Sequence, residues 1–511
     1  MSVAIEGLPR RVIPRWRDFR TAAELGEFSV AARVENRVEV PSGLDSLLRL
    51  WQSQRSEVLA GELLSASWLE GAWDTAREAA KYLLRRGSAA QELTRNFARS
   101  VIEDLSAAQK GQSATRLDRA AVQNIRAALR LYPRDAIGWC ELARYYTIVG
   151  KLKRARRAMC TAVALAPDNR FILRSASRCF VHLGEPDMAL NILRRSGIAK
   201  SDPWLAAAHV SIAQIMGKAT RLYRQARELS KSESFAPFHL AELNAALGTM
   251  EMSAGNEKGA RKMLQAALTD PTENALAQAW WAQSRVRIQL KPTQLRAPHT
   301  FEANTRALVV AEKWESALHA AAEWFRDEPF STNPALQQSF ILSVAFEQHE
   351  QAIDILKLAL RSNPGDLLLL NNLAFALGDL GRTYEAREIL AHVNVEDTPA
   401  DRAVALIATE GLLRFRERDI NSGREFYARA IRLAKDHQQD RQAALAALYL
   451  AKEEKRANSD MKDLAISEAE KAASRFDDST FRLVMRTLRE GPLPKSQPEA
   501  RDQDTPLIAA P

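Results

Sequence analysis

Apolar positions recur along most of this chain with a two-helix period. In the segment 136–167, Trp139, Leu142 and Tyr146 stand at i, i+3 and i+7, the spacing of one helix face. Gly150 ends that stripe. A second stripe carries Ala155, Met159 and Ala162, and Pro167 closes it, because the residue before a proline avoids helical angles. The next period repeats the marks as Ala176, Phe180, Gly184, Ala189 and Leu193. Pro133 and Pro167 are 34 residues apart, and Ala121, Ala155 and Ala189 keep the same step. Such a period predicts helix pairs, none able to bury its apolar face alone, stacked into a continuous array.

Further copies are Leu247–Gly248–Gly255–Ala260–Leu264–Ala267, with Pro271 one place early, then Ala317–Trp324–Pro329. Ala352–Leu356–Ala359–Pro364 follows at a step of 35 residues, and Leu373–Ala374–Gly381–Ala386–Leu390 comes 34 later. Gly411, Gly423, Tyr427 and Ala430 mark a degenerate unit, and Gly71, Ala76 and Leu83 an eroded one upstream. The order of large residue, leucine, small residue, aromatic, glycine, small residue, large residue, alanine and proline resembles the tetratricopeptide repeat (TPR) over residues 45–485. The resemblance implies an all-α, α-α superhelical solenoid. Small Ala143 and Ala155 are expected where paired helices cross. The first helix of each pair is expected to line a concave groove that receives an extended or helical peptide.

The chain divides accordingly. Residues 1–43 form a basic, non-repeat arm, 44–290 and 301–488 two blocks of the array, 291–300 a linker or long loop containing Pro292 and Pro298, and 489–511 a disordered tail rich in proline and charge. Within the first 43 residues, Thr21 and Glu24 form a capping box, and Phe28–Val40 alternates as a strand does. A polar interruption at 108–113 lengthens one unit.

Composition changes this picture little. At 511 residues the chain exceeds one ordinary core, a limit that a solenoid escapes. Three cysteines give no disulfide framework, no apolar run reaches the length of a membrane span, and the first twenty residues lack the apolar core of an export signal. A cytoplasmic location is expected. The net charge of +9 fits nucleic acid, an anionic membrane or an acidic protein partner, or reflects arginine-rich usage alone.

Three places carry candidate chemistry. By the resemblance, Arg144, Arg174, Arg178, Asn371 and Asn372 face the groove. Arg174 and Arg178 share a helix face, and Arg144 matches Arg178 one repeat earlier. These arginines either clamp a carboxylate or phosphate, which guanidinium groups pair bidentately, or make intramolecular salt bridges. Asn372 resembles the family's peptide-clamping asparagine, whereas the charge clamp of chaperone-binding members is absent. The second place is the run Lys151, Lys153, Arg154, Arg156 and Arg157, either a solvated outer face or a phosphate-contacting one. The third is the arm, where Arg15, Trp16 and Arg17 suit an interface anchor. The arm either docks on a partner or folds back to cover the first repeat.

No catalytic constellation is legible. His349-Glu350 lacks the second histidine of a helical zinc site, since position 353 is Ile353. The eight histidines are scattered, and no glycine-rich phosphate loop follows a strand. Neither metal nor cofactor is expected. The sequence therefore reads as a non-enzymatic scaffold or adaptor that recruits a protein or peptide through its groove. The alternative is a regulatory or nucleic-acid-associated protein whose basic surfaces meet phosphates, although no recognition motif accompanies them.

Overall fold

The computed structural model describes residues 12–19, 44–69, 72–85, 94–95, 98–99, 101–102 and 114–494, apart from 219–221, 284, 298, 392 and 396–397. The expected strand at 28–40, the Thr21/Glu24 capping box, the interruption at 108–113 and the tail beyond 494 lie outside the described residues. Among those residues the regular structure is helical, with no strand, and they fall into two compact units, one within 11–288 and one within 289–511.

The first unit opens with α1 (Leu44–Ser53), α2 (Glu57–Leu69) and α3 (Trp73–Arg85) around Trp51, Leu63, Leu64 and Leu83. After α4 (Ala114–Leu131) come four helix pairs: α5 (Ala136–Ile148) with α6 (Leu152–Leu165), α7 (Arg170–His182) with α8 (Pro186–Arg195), α9 (Pro203–Ile215) with α10 (Tyr223–Leu229), and α11 (Pro237–Ser253) with α12 (Glu257–Ala267). The first helix of a further unit, α13 (Glu273–Ala282), completes the stack. Each pair packs on itself, and α5, α7, α9, α11 and α13 pack in succession to make one continuous inner face. The first helices start about every 34 residues, as the repeat period requires.

Local chemistry sets the helix limits. Asp135, Asn169, Asp202 and Thr272 each accept a backbone N–H of the first turn of α5, α7, α9 and α13. Gly150 and Gly184 both take φ of +74°, the left-handed turn that only glycine adopts without strain. Ala143 and Ala155 are fully buried at the α5–α6 crossing.

The second unit begins with a 3₁₀ turn, Pro292–Arg296, followed by α14 (Phe301–Val310), α15 (Trp314–Asp327) and α16 (Thr332–Phe340), which continues as a π-helical segment, Ile341–Ala345. Next come α17 (His349–Ser362), α18 (Leu367–Asp379), α19 (Thr383–Leu390), α20 (Ala400–Arg416), α21 (Ile420–Asp436), α22 (Asp440–Arg456), α23 (Lys462–Ala473) and α24 (Ser479–Glu490). The π-helical turn lies where the sequence step is 35 residues. An i→i+5 turn takes up one extra residue without breaking the stack. Residues 489 and 490 finish α24 rather than starting a tail, and the Leu493 amide donates to the Ala345 carbonyl at 2.8 Å.

Each unit is built from TPR-like α-α pairs. The second unit closes on itself: α24 packs against both α22 and the π-helical segment, and one apolar core runs from Leu308 to Leu488. Phe375 on α18 meets Tyr449 on α22 edge-on, with ring centres 5.6 Å apart.

Candidate functional site

The arm residues 12–19 lie on the inner face of the first unit. Residues 12–18 have no regular structure, and Pro14 favours the extended backbone there. Extended side chains alternate in direction. Val12, Pro14 and Trp16 are buried at every second position, and Trp16 has no exposed surface. Arg17 is buried as well, and Arg15 and Arg17 both reach the Glu273 carboxylate, at 3.6 and 3.0 Å. Phe19 packs edge-on against Phe171, with ring centres 5.7 Å apart.

Side chains of two inner helices read the arm's backbone. Asn274 Nδ2 donates to the Ile13 carbonyl at 2.8 Å, and Arg144 Nε donates to the Trp16 carbonyl at 3.4 Å. An extended segment makes no helical hydrogen bonds of its own, so its buried carbonyls need such donors. Arg144 on α5, Phe171 on α7 and Glu273 with Asn274 on α13 are thus brought together by the stacking of first helices. Glu273 is at the start of α13, where the helix dipole favours a negative charge. Trp16 also interacts with the buried Cys140 thiol, whose pKa burial pushes far up.

The sequence-predicted arginines have separate fates. Arg144 holds the arm. Arg174 is 1% exposed and donates Nη2 to both Glu242 oxygens at 3.1 Å, while its guanidinium lies 4.3 Å from the Trp204 ring centre. It ties α7 to α11 and α9, the intramolecular salt bridge that the sequence left as one alternative. Arg178 is half-buried on α7. The polarity of the seat was not legible in the sequence, because Glu273 and Asn274 lie more than 250 residues beyond the arm.

In the second unit, Asn371 and Asn372 are both buried. Asn371 Oδ1 accepts from Thr409 Oγ1 at 2.8 Å, joining α18 to α20. A polar cluster gathers at the C-terminal end of α18. Asp379 accepts from His349 Nε2 at 2.8 Å and from Arg416 and Arg456, each at 2.6 Å; Arg416 also pairs with Glu453. Burial pushes the Asp379 pKa up, but the His349 hydrogen bond and the Lys452 and Arg416 charges outweigh it and hold the carboxyl well below its usual range. The cluster satisfies its own charges, and among the described residues no group of His, Cys, Asp or Glu is placed to hold a metal ion.

A third feature is an open groove of about 420 Å³ between α4, α5 and α6. Leu129, Trp139, Leu142 and Tyr146 form its floor. Arg126 and Arg130 line one wall, Arg154 and Arg157 the other, with no acidic residue among the lining groups. Of the basic run, Arg156 is instead paired with Glu185 at 2.8 Å.

No protein-family profile and no curated protein matches the chain. Among solved structures it is similar to a chain of the APC/C hetero-tetramer Cut9-Hcn1, with 14% identity, coverage of 87% of this chain and 86% of that one, and a TM-score of 0.39. It is also similar to yeast Tom70, with 12% identity, coverage of 85% and 95%, and a TM-score of 0.29. The repeat assignment rests on the chain's own period and helix pairing. Among the described residues no helix is long and apolar enough to cross a membrane.

Proposed function

We propose that the chain is a non-enzymatic scaffold that holds protein segments on the inner face of its first unit. One observation carries this reading. That face already holds an extended stretch of polypeptide by its backbone carbonyls, through Asn274 and Arg144. Side chains that bond a ligand's main chain give affinity, while pockets for alternate residues give selectivity. The buried Trp16 fills such a pocket.

A specific observation favours a second reading, contact with phosphates. The four arginines around the groove between α4, α5 and α6 face no carboxylate there, and their aromatic floor suits a planar or apolar group.

Affinity capture from the native host separates the two, using the intact chain, Asn274→Ala/Glu273→Gln, and Arg126→Glu/Arg130→Glu, each with and without nuclease. A protein partner that survives nuclease and is lost only with Asn274→Ala/Glu273→Gln supports the scaffold. Capture abolished by nuclease, or lost only with the arginine pair, rejects it in favour of phosphate contact. Arg174→Glu is a poor probe of the face, because it leaves Glu242 buried without its partner, a cost of about 3–5 kcal/mol.

A further inference from the structure

We infer that the inner face of the first unit is a receptor for extended basic segments with an aromatic anchor, and that the arm is its resident, displaceable occupant. This rests on the scaffold reading and names its ligand class and its control.

The seat selects this chemistry at each position. Glu273 is an acidic group that meets both Arg15 and Arg17. Glu242 on α11 is paired with Arg174, so that pair adds no net charge to the face. An acidic segment in the same register would set two carboxylates against Glu273, and like charges at that distance repel. The aromatic pocket takes an indole completely, and Phe171 adds an edge-on contact for a second ring three residues later. The two carbonyl contacts are indifferent to side chains, so they fix the register of any extended ligand. This reverses the acidic partner expected from the groove arginines. Arg144 spends its guanidinium on a carbonyl, and Arg174 is neutralised within the fold.

The arm is bound as a ligand rather than built in as a repeat. Residues 12–18 form no helix, and α5, α7 and α13, far away in sequence, supply partners for them and for Phe19. Residues 20–43 tether it to α1. A tethered ligand competes at an effective concentration of about millimolar, and it masks the face from weaker ligands by the fraction of time it is docked.

The test uses a labelled peptide of residues 9–20 (PRRVIPRWRDFR) and reads its binding by fluorescence anisotropy. The proteins are the intact chain, the arm-release variant Trp16→Ala/Arg17→Ala, and that variant with Glu273→Lys. The release variant is expected to bind the peptide about tenfold more tightly than the intact chain or more. Glu273→Lys is expected to remove that gain, and a peptide with both of its central arginines changed to glutamate is expected not to bind. Absence of peptide binding by a release variant that melts cooperatively overturns the inference. Equal binding by the intact chain, or preference for the acidic peptide, also overturns it.

Should the release variant fail to fold, a full-length chain with a protease site inserted within 20–43 is folded first and then cut. Exchange of the cut arm for labelled peptide supports the inference, and retention without exchange overturns it. In either format the scaffold reading stands or falls separately, on whether a captured protein depends on Asn274 and Glu273.

Discussion

At the scale of single residues, burial decides which polar groups are structural and which are exposed to ligands. His209 on α9 shows what burial does to a titrating side chain. Burial first, and the nearby Arg194 second, push its pKa from the ordinary 6.5 down to about 4. The folded chain therefore binds fewer protons than the unfolded chain between those values. The neutral imidazole is fully compatible with the fold above about pH 6.5, and the associated stability is lost as pH falls toward 4. We expect the melting temperature of the wild-type chain to fall more steeply between pH 6.5 and 4 than that of His209→Gln. Parallel slopes in calorimetry would rule this out. Asp379 has the opposite logic for an acid. Its depressed pKa makes the second unit's polar cluster a source of stability above the usual carboxylate range, lost only on strong acidification. Neither environment was readable from the sequence, since both depend on groups from distant helices.

At the scale of elements, the close crossing of paired helices is the constraint that shows most clearly in sequence. Gly411 on α20 and Gly423 on α21 were marks of a degenerate repeat, and they meet at the crossing. A Cβ on Gly411 would be 2.8 Å from the Tyr427 ring and 3.1 Å from the Gly423 carbonyl. The carbonyl belongs to a helix backbone and cannot step aside, so Gly411→Ala is expected to destabilise by about 1–3 kcal/mol. Urea denaturation measures this, and a loss below about 0.5 kcal/mol would show that the pair relaxes freely. The same scale explains why the repeat fades in the second unit. Gly381 keeps the left-handed turn at φ of +79°, but at five other turns Glu312, Glu347, Arg418, Gln438 and Asn458 take it, all with positive φ. At those five turns the conformation persists without its sequence mark, because stacking on both sides sustains a strain of about 1–2 kcal/mol per residue.

At the scale of the whole molecule, the second unit departs from a simple open array. An ideal solenoid couples each repeat only to its neighbours. In the second unit, however, α24 rests on the π-helical segment about 140 residues earlier, and the Leu493 amide bonds to the Ala345 carbonyl. Phe481 on α24 is fully buried and stacked on Phe476 with ring centres 4.9 Å apart. Phe481→Ala is expected to cost about 3–5 kcal/mol and to speed amide exchange in Ile341–Ala345 as well as in α24. Exchange confined to α23 and α24 would restore the nearest-neighbour picture.

The sequence by itself determined the all-α class, the period, the small residues at the helix crossings and the turn glycines. These are local requirements: a helix face repeats every few residues, a crossing needs a small side chain, and a left-handed turn favours glycine. It also singled out Arg15, Trp16 and Arg17 as an anchor, because arginine beside an aromatic in a non-repeat arm has no packing duty within the period. Only the tertiary structure decided what the anchor meets. Glu273 and Asn274 reach the arm because stacking the repeats brings α13 onto the same face as α5 and α7. Stacking likewise turned Arg174 into a buried tie and enclosed Asn371 and Asn372. A repeat period says which side chains share a face. Whether that face is open, neutralised or already occupied depends on charges and segments hundreds of residues away, and only the assembled fold brings those together.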